Sequence, residues 1–320
     1  MPPEDSGYIA ELLKDSSELY DLDSLRDFLE RLNPKRMQEQ LDGEIESSAQ
    51  FADKRLYQRY PQYERHWLNY VTTLRSIILS GETNLSRAVW KVEQALKIRR
   101  PIEKVLILGK VQKVPSEIIW QWFDVESLAF LTKYSDEDTN CVVEVGAGPA
   151  LFLFKFWLSH GPLNANYYAL EITQTGRLFT NIMSCLESST SFRSLYFDYQ
   201  KPDFSTLRNK YNKVLVFSKG SVEQIPELPK EFFTQLLSIS KELTCVHSEP
   251  VGWQIVKPYK QDLRTRKHRK RCLKKNYNTN LWALLQELES EGLLAINEYL
   301  INFSGKADHP GTYISWTKVS

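Results

Sequence analysis

The chain has 320 residues, enough for one large domain or two ordinary ones with a sizeable core. With 42% hydrophobic, 25% charged and 12% aromatic residues, its composition is that of a soluble globular protein. The net charge of +1 excludes any inference about partners from global charge, so only local charge clusters are informative.

The four cysteines, Cys141, Cys185, Cys245 and Cys272, form no C-x-x-C pair, and no Cys/His cluster has zinc-ligand spacing. We therefore expect no metal site. The N-terminal Met-Pro-Pro-Glu-Asp lacks the features of a signal peptide, and no apolar run approaches the roughly 20 residues that span a membrane. These features predict a cytoplasmic protein with reduced cysteines and no membrane partner.

The first part of the chain, to about residue 132, is predicted to be helical, because apolar residues recur at helical spacing in Tyr8–Leu13 and in Leu25, Phe28, Leu29 and Leu32. Longer predicted helices follow at about 36–57, 61–80 and 84–98. The segment 102–113 is apolar and β-branched, and it is either a short strand or a connector. No glycine-rich loop is present in this half. We expect residues 1–114 to form an all-helical domain that acts as a lid or as an oligomerisation surface, through which the chain could form a homodimer.

From Cys141 onward, predicted strands alternate with helices, which indicates a parallel α/β sheet. The last two strands are close enough to pair antiparallel. Residues 115–320 thus predict a seven-stranded, mostly parallel Rossmann-like sheet with an antiparallel terminal hairpin. The predicted strands are 141–145, 167–170, 194–197, 214–217, 244–247, 293–302 and 311–318.

The strongest motif follows the first of these strands and reads Gly146-Ala147-Gly148-Pro149. Glycines there allow positive φ and close approach of a ligand to the backbone. Pro149 suits the first turn of a helix that starts at once. Leu151 occupies the position of the third dinucleotide glycine, which counts against a pyrophosphate-binding NAD or FAD site.

Carboxylates end three successive strands, at the edge where open α/β sheets bind ligands. Glu144 precedes the glycine turn and suits a cationic amino group. Glu171 ends the second strand, the position that binds ribose hydroxyls in nucleoside-binding folds. Asp198 ends the third strand and could reach an adenine amino group. A single strand-end acid is often a solvated cap, but together with the glycine turn these acids favour a nucleoside cofactor.

The pattern Glu144-x-Gly146-x-Gly148 followed by Glu171 resembles a class I S-adenosylmethionine-dependent methyltransferase over residues 115–320. The resemblance implies S-adenosylmethionine as cofactor and S-adenosylhomocysteine as product. By the same resemblance, the cofactor contacts would be Glu144, Gly146, Ala147, Gly148, Pro149, Glu171, Ile172, Asp198, Tyr199 and Ser218.

Methyltransferases of this class often place acceptor-side residues after the fourth strand, and Ser221–Pro226 is similar to stretches in sugar or natural-product methyltransferases. The structural alternative is a helix start, with Ser221 and Gln224 forming a capping box. Both interpretations can hold. The predicted acceptor-side residues are Ser221, Glu223, Tyr277 and Asn278.

His247 and Glu249 end the fifth strand and are the predicted catalytic pair. A histidine is the usual general base near neutral pH, and a nearby carboxylate can orient it. Glu249 would instead bind the cation if the acceptor is an amine. The structural alternative for His247 is a strand-end histidine bonded to the backbone.

The segment between Lys257 and Lys275 is densely basic. A charge run is usually a solvated helix face. This run could also bind an anionic or peptide-linked acceptor, and nucleic acid is the least favoured partner because no RNA-binding signature accompanies it. The leading interpretation is O-methylation of a sugar or natural-product small molecule. The alternatives are an N-methyltransferase for a peptide, protein or amine, and a non-catalytic partner protein with the same fold.

Overall fold

The computed structural model describes residues 7–19, 21–48, 60–96, 102–159 and 161–319. The N-terminal Met1–Asp5 lies outside these residues, as do the ends of two predicted helices, 49–57 and 97–98.

Twelve α-helices, two 3₁₀ helices and nine strands lie in this described part of the chain. The α-helices are α1 (Gly7–Ser16), α2 (Leu22–Arg31), α3 (Pro34–Ser48), α4 (Tyr60–Leu79), α5 (Leu85–Leu96), α6 (Ser116–Thr132), α7 (Leu151–Ser159), α8 (Gln174–Ser184), α9 (Lys230–Leu237), α10 (Gly252–Ile255), α11 (Leu263–Lys274) and α12 (Leu281–Ser290). The strands are β1 (Glu103–Ile107), β2 (Lys110–Val114), β3 (Cys141–Val145), β4 (Asn166–Glu171), β5 (Phe192–Tyr196), β6 (Lys213–Lys219), β7 (Glu242–Glu249), β8 (Leu294–Lys306) and β9 (His309–Lys318). The 3₁₀ helices are Val222–Gln224 and Pro258–Lys260.

The chain divides into two compact units that do not follow chain order. The first unit comprises Met1–Lys97, Ala147–Leu158 and Ala165–Tyr196. The second comprises Ile98–Gly146, Ser159–Asn164 and Phe197–Ser320. This division differs from the boundary predicted between residues 114 and 115.

In the first unit, the N-terminal helices share one core with β4, α8 and β5. Both α1 and α4 pack on α8, which also packs on β5. Leu68 and Val71 of α4 and Phe179 of α8 are buried, and the Phe179 ring meets Tyr70 edge-on at 6.0 Å. Because β4 and β5 are paired in parallel, α8 returns the chain across them in the usual crossover manner. The N-terminal helices therefore complete this core.

In the second unit, seven strands are hydrogen-bonded in the order β2-β1-β8-β9-β7-β6-β3. The β3–β6 and β6–β7 pairs are parallel, whereas β9 runs antiparallel to both β7 and β8. The antiparallel terminal hairpin is therefore confirmed. The central residues of β3, β6 and β7 are buried, as expected for parallel strands covered on both faces, although β7 also carries the polar residues Thr244, His247 and Glu249.

The predicted strand count of seven and the mostly parallel sheet are wrong. Nine strands are described, and four of their antiparallel pairings (β1–β2, β1–β8, β7–β9 and β8–β9) stand beside three parallel ones (β3–β6, β4–β5 and β6–β7). The difference arises in 103–114, which folds into a hairpin around Leu108 and Gly109, both at positive φ as a tight hairpin turn requires. For the same reason, residues 1–114 are not all helical.

Helix α7 begins at Leu151 and not at Pro149 as predicted. Ala150 has a φ of +52°, which lies in the left-handed region and cannot belong to a right-handed helix. The glycine turn is therefore longer than the sequence suggested. Among the described residues, no helix is long and apolar enough to cross a membrane.

Candidate functional site

Glu171, at the end of β4, holds the glycine turn in the first unit. Its Oε2 accepts a hydrogen bond from the Gly148 amide at 2.7 Å, and its Oε1 accepts from the Thr173 amide and hydroxyl at 2.8 and 2.7 Å. Burial raises the pKa of this carboxyl. A carboxylate has about four lone-pair positions, and among the described residues Oε2 accepts from the Gly148 amide alone, so one of its positions is open to another donor.

The turn is closely covered by its neighbours in the same unit. A Cβ on Gly148 would lie 2.8 Å from Cζ2 of Trp67 on α4. A Cβ on Gly176 of α8 would lie 2.7 Å from the Gly148 carbonyl oxygen. Glycine is therefore required at both positions. Neither Trp67 nor Gly176 is predictable from the sequence as part of this site, because each lies in an ordinary helix far along the chain from the turn.

Glu64 anchors α4 to the start of α8. Its carboxylate is 1% exposed and accepts from the Gln174 amide at 2.6 Å and from the Thr175 amide and hydroxyl at 3.0 and 2.6 Å. The Tyr60 hydroxyl also donates to it at 2.7 Å. An acid here satisfies free amides at the positive end of the helix dipole. Glu64 thus fixes the helix that carries Trp67.

In the second unit, the carbonyl of Val145, which precedes Gly146, accepts hydrogen bonds from two side chains. The Tyr199 hydroxyl donates to it at 2.9 Å and the Ser221 hydroxyl at 2.8 Å. A Cβ on Gly146 would lie 2.5 Å from the Ser221 Cβ, and Gly146 has a φ of +68°. The polar ends of Tyr199 and Ser221 therefore support the end of β3.

The other predicted cofactor residues lie in varied settings. Glu144 is buried at the end of β3, and Asp198 is buried with its Oδ1 accepting from the Gln200 amide at 2.9 Å. Ala147 and Pro149 are buried, and Ile172 is half-buried. Their cofactor roles stay predictions.

His247 lies in the core of the second unit, with both ring nitrogens engaged. Its Nε2 accepts from the Trp316 indole N–H at 3.1 Å, so Nδ1 carries the proton and donates to the Ser218 hydroxyl at 2.9 Å. Burial lowers the pKa of His247 to about 3. A general base needs a free nitrogen within reach of its substrate. The geometry therefore does not favour the predicted role, and Ser218 is likewise tied to the core.

Glu249 organises the loop after β6. It is fully buried, and its oxygens accept from the amides of Ser221 and Val222 at 3.1 Å and Glu223 at 3.2 Å. Burial, with Glu223 nearby, raises the pKa of Glu249 to about 7. The predicted capping box is wrong: the Ser221 side chain makes no capping bond to the helix at Val222–Gln224, because Glu249 takes those amides.

Three of the predicted acceptor-side residues do lie together. The Asn278 amide donates to the Glu223 carbonyl at 2.9 Å, and Glu223 Oε2 lies 2.6 Å from Nε2 of His309. The Tyr277 ring centroid is 5.4 Å from that of His309. Asn278 is buried and its Oδ1 accepts from the Leu281 amide at the start of α12, so its side chain has a structural task.

Much of the basic run forms α11, which begins at Leu263 and is capped by Asp262. Most of its charged side chains are exposed, as the solvated-face interpretation expects. Some of them also line a cleft of about 930 Å³. Its basic residues are Lys104, Arg264, Lys267, Arg271 and Lys306, and its acidic residues are Glu103 and Asp308.

The parallel strands β3, β6 and β7, the glycine turn and the terminal hairpin define a Rossmann-like α/β protein. No protein-family profile and no curated protein matches the chain. Solved structures do resemble it. A SAM-dependent methyltransferase from Aquifex aeolicus is 12% identical at a TM-score of 0.39, with 61% of this chain and 89% of that chain covered.

Two further similar structures are also methyltransferases. The magnesium protoporphyrin IX methyltransferase from Synechocystis PCC 6803 with bound SAH is 12% identical at a TM-score of 0.43, covering 62% of this chain and 83% of that one. A geranyl diphosphate methyltransferase in complex with GPP and sinefungin is 9% identical at a TM-score of 0.46, covering 81% and 100%. At such identities and TM-scores, function has to be argued from the chain's own contacts.

Proposed function

We propose that this chain is an S-adenosylmethionine-dependent methyltransferase that releases S-adenosylhomocysteine. One observation carries the proposal: the buried Glu171 carboxylate holds the Gly148 amide and keeps a lone pair on Oε2. A ribose hydroxyl could donate a hydrogen bond to this lone pair. Glu171 ends β4, the second strand of the α/β region, and nucleoside-binding folds hold ribose with an acid at that position.

The reaction would be a direct displacement. A lone pair of the acceptor attacks the methyl carbon, the carbon–sulfur bond breaks, and the sulfonium becomes a neutral thioether. Proximity and orientation supply most of the rate in such a step, and a hydroxyl acceptor also loses its proton. Because both ring nitrogens of His247 are engaged, we assign the proton to solvent or to a group of the acceptor.

For the acceptor, we propose a hydroxyl of a sugar or natural-product small molecule that carries a negative charge. The basic run is the support for that charge: the cleft beside α11 has five basic side chains, of which Arg271 and Lys306 are paired with its two acidic ones. Glu249 gives no support to an amine acceptor, because its side chain is fully buried and a hydrogen bond from Ser218 adds a fourth donor to the three loop amides.

Calorimetric titration with S-adenosylmethionine and S-adenosylhomocysteine tests the cofactor. We expect one-site binding that Glu171→Ala weakens by about 2 kcal/mol, the cost of leaving buried polar groups unpaired. Glu171→Gln keeps the side-chain size and one acceptor oxygen, so its loss should be smaller. The matched control is Glu30→Ala, which removes an exposed carboxylate of α2 in the same unit.

Equal affinity in wild type and in folded Glu171→Ala would remove the ribose role. If the folded wild-type chain binds neither compound, the non-catalytic partner protein is the better interpretation. With binding established, a screen of phosphorylated sugars, neutral sugars and peptides tests the acceptor. Turnover of peptides alone would establish N-methylation and overturn the hydroxyl assignment.

A further inference from the structure

A second cluster of reactive side chains lies in the second unit. His268 and Cys272 are on α11, and His309 begins β9. Each offers one nitrogen or sulfur atom, and these three atoms all lie within 4.8 Å of one another. His268 and Cys272 are buried at 1% exposure, and His309 is half-buried. Imidazole and thiolate are the ligands that zinc-class ions prefer.

The two imidazoles are placed as two ligands of one metal ion would be. Nε2 of His268 and Nδ1 of His309 are 3.2 Å apart. Two nitrogens bound tetrahedrally at zinc–nitrogen distances would be separated by about 3.4 Å. Little movement is therefore needed to place one ion between them.

Glu223 supplies the orienting group that metal-bound histidines usually have. Its Oε2 accepts from Nε2 of His309 at 2.6 Å. The proton of His309 is thereby fixed on Nε2, which leaves the Nδ1 lone pair directed at His268. A carboxylate that holds the far nitrogen of a ligating histidine fixes its tautomer and increases its basicity.

His268 is also incompletely satisfied by the protein. Its Nδ1 is buried and has no hydrogen-bond partner in the part of the chain that the structure describes. Cys272 lies four residues further along α11, so its thiol and the His268 ring lie on the same helix face. A buried pair of this kind, with an unpartnered ring nitrogen, is more costly in a core than apolar residues would be. A bound ion would use the Nε2 lone pair of His268 and the thiolate of Cys272, and the ring proton of His268 would then reside on Nδ1.

We propose that His268, Cys272 and His309 bind one divalent ion of the zinc class, with Glu223 positioning His309. Three protein ligands leave the fourth tetrahedral position for water or for another ligand. His268 also lines the basic cleft, so the ion would lie beside the groups proposed to attract an anion. The site does not depend on methyl transfer, and its test needs no methyltransferase activity.

The experiment uses the full chain, freed of metal with a chelator under reducing conditions and titrated with Co²⁺ alone. We expect uptake of one ion per chain, a near-ultraviolet thiolate-to-cobalt band and intense visible bands of a tetrahedral site. Zn²⁺ added afterwards should abolish these bands. Cys272→Ser should lose the near-ultraviolet band, whereas the control Cys185→Ser, which alters a cysteine of the first unit, should keep it.

Glu223→Gln should weaken Co²⁺ binding by about 10- to 100-fold while the bands at saturation persist, as expected of a positioning residue. The proposal is overturned if the folded wild-type chain shows no thiolate band, or if the band survives in Cys272→Ser. If Cys272→Ser fails to fold, the wild-type spectrum and the loss of visible-band intensity in His309→Gln decide in its place.

Discussion

Two histidines of the second unit are equally buried and yet differ in what the protein does for them. His247 and His268 are both 1% exposed, and burial lowers the pKa of both to about 3. Both ring nitrogens of His247 have partners in the core. In His268, Nε2 lies within hydrogen-bond distance of Nδ1 of His309, whereas Nδ1 has no partner among the described residues.

The hydrogen-bond partners of a buried histidine are therefore a better guide to its role than its position in the sequence. His247 attracts attention because it ends a strand where ligands bind. Its hydrogen bonds to Ser218 and Trp316 make it a closed structural unit. His268 lies in a charged helix, and its Nε2 faces His309 with Cys272 on the same helix face, which is the arrangement proposed to hold an ion.

The largest expected effect separates the two residues by stability. His247→Ala leaves a cavity and two buried groups without partners, so we expect a loss of about 3 kcal/mol in the free energy of unfolding. His268→Ala in metal-free protein removes an incompletely bonded ring and should cost about 1 kcal/mol. Urea unfolding of both variants measures the difference. Equal losses would remove the distinction between the two histidines.

The next effect is on pH dependence. His247 stays neutral in the folded chain down to about pH 3, whereas an unfolded histidine takes a proton near its ordinary pKa of 6.5. The unfolded state thus binds one more proton in that window, and His247 lowers the free energy of unfolding as pH falls, by about 1.4 kcal/mol per pH unit.

His247→Gln should flatten this slope by that one-proton contribution, whatever its effect on stability at neutral pH. Urea unfolding at a series of pH values measures it. Parallel wild-type and variant curves between pH 6.5 and 3 would mean that His247 is protonated in the folded state.

The smallest effect is expected from changing the capping residue of α11, the helix that carries His268. Asp262 caps α11, because its Oδ1 accepts from the Thr265 amide at 2.7 Å. Asp262→Ala should cost about 1 kcal/mol and weaken Co²⁺ binding, since α11 carries two of the proposed ligands. Asp262→Asn keeps a capping oxygen and should change both quantities less. Unchanged Co²⁺ affinity in Asp262→Ala would show that the ligands do not depend on this end of the helix.

The local elements of the fold were largely predictable from the sequence. The strand at Cys141–Val145 has the predicted bounds, and the terminal hairpin pairs as expected. These elements follow from apolar patterning over neighbouring residues. The start of α7 is not predictable from the sequence, because Ala150 adopts a positive φ that alanine rarely has. The sequence at 103–114 does not distinguish a hairpin from a connector, because it lacks an Asn-Gly type of turn signal.

The candidate sites were less predictable, because they depend on contacts between distant residues. Glu171 was identified from its place after a strand, but Glu64 reaches α8 across 110 residues of chain, and nothing near it announces that contact. The same holds for His268 and His309, which are 41 residues apart in the sequence. Zinc-ligand spacing rules apply to short loops, and here the first residue of β9 supplies one of the ligands.

The first unit, assembled from three separate stretches, also sets an order of events during synthesis. The helices α1 and α4 pack on α8, which the ribosome makes about 100 residues after α4. Until α8 has emerged, the faces of α1 and α4 that pack on it lack that partner. The core of the first unit can therefore close only after α8 and β5 have been made, and apolar surface exposed in that interval favours aggregation.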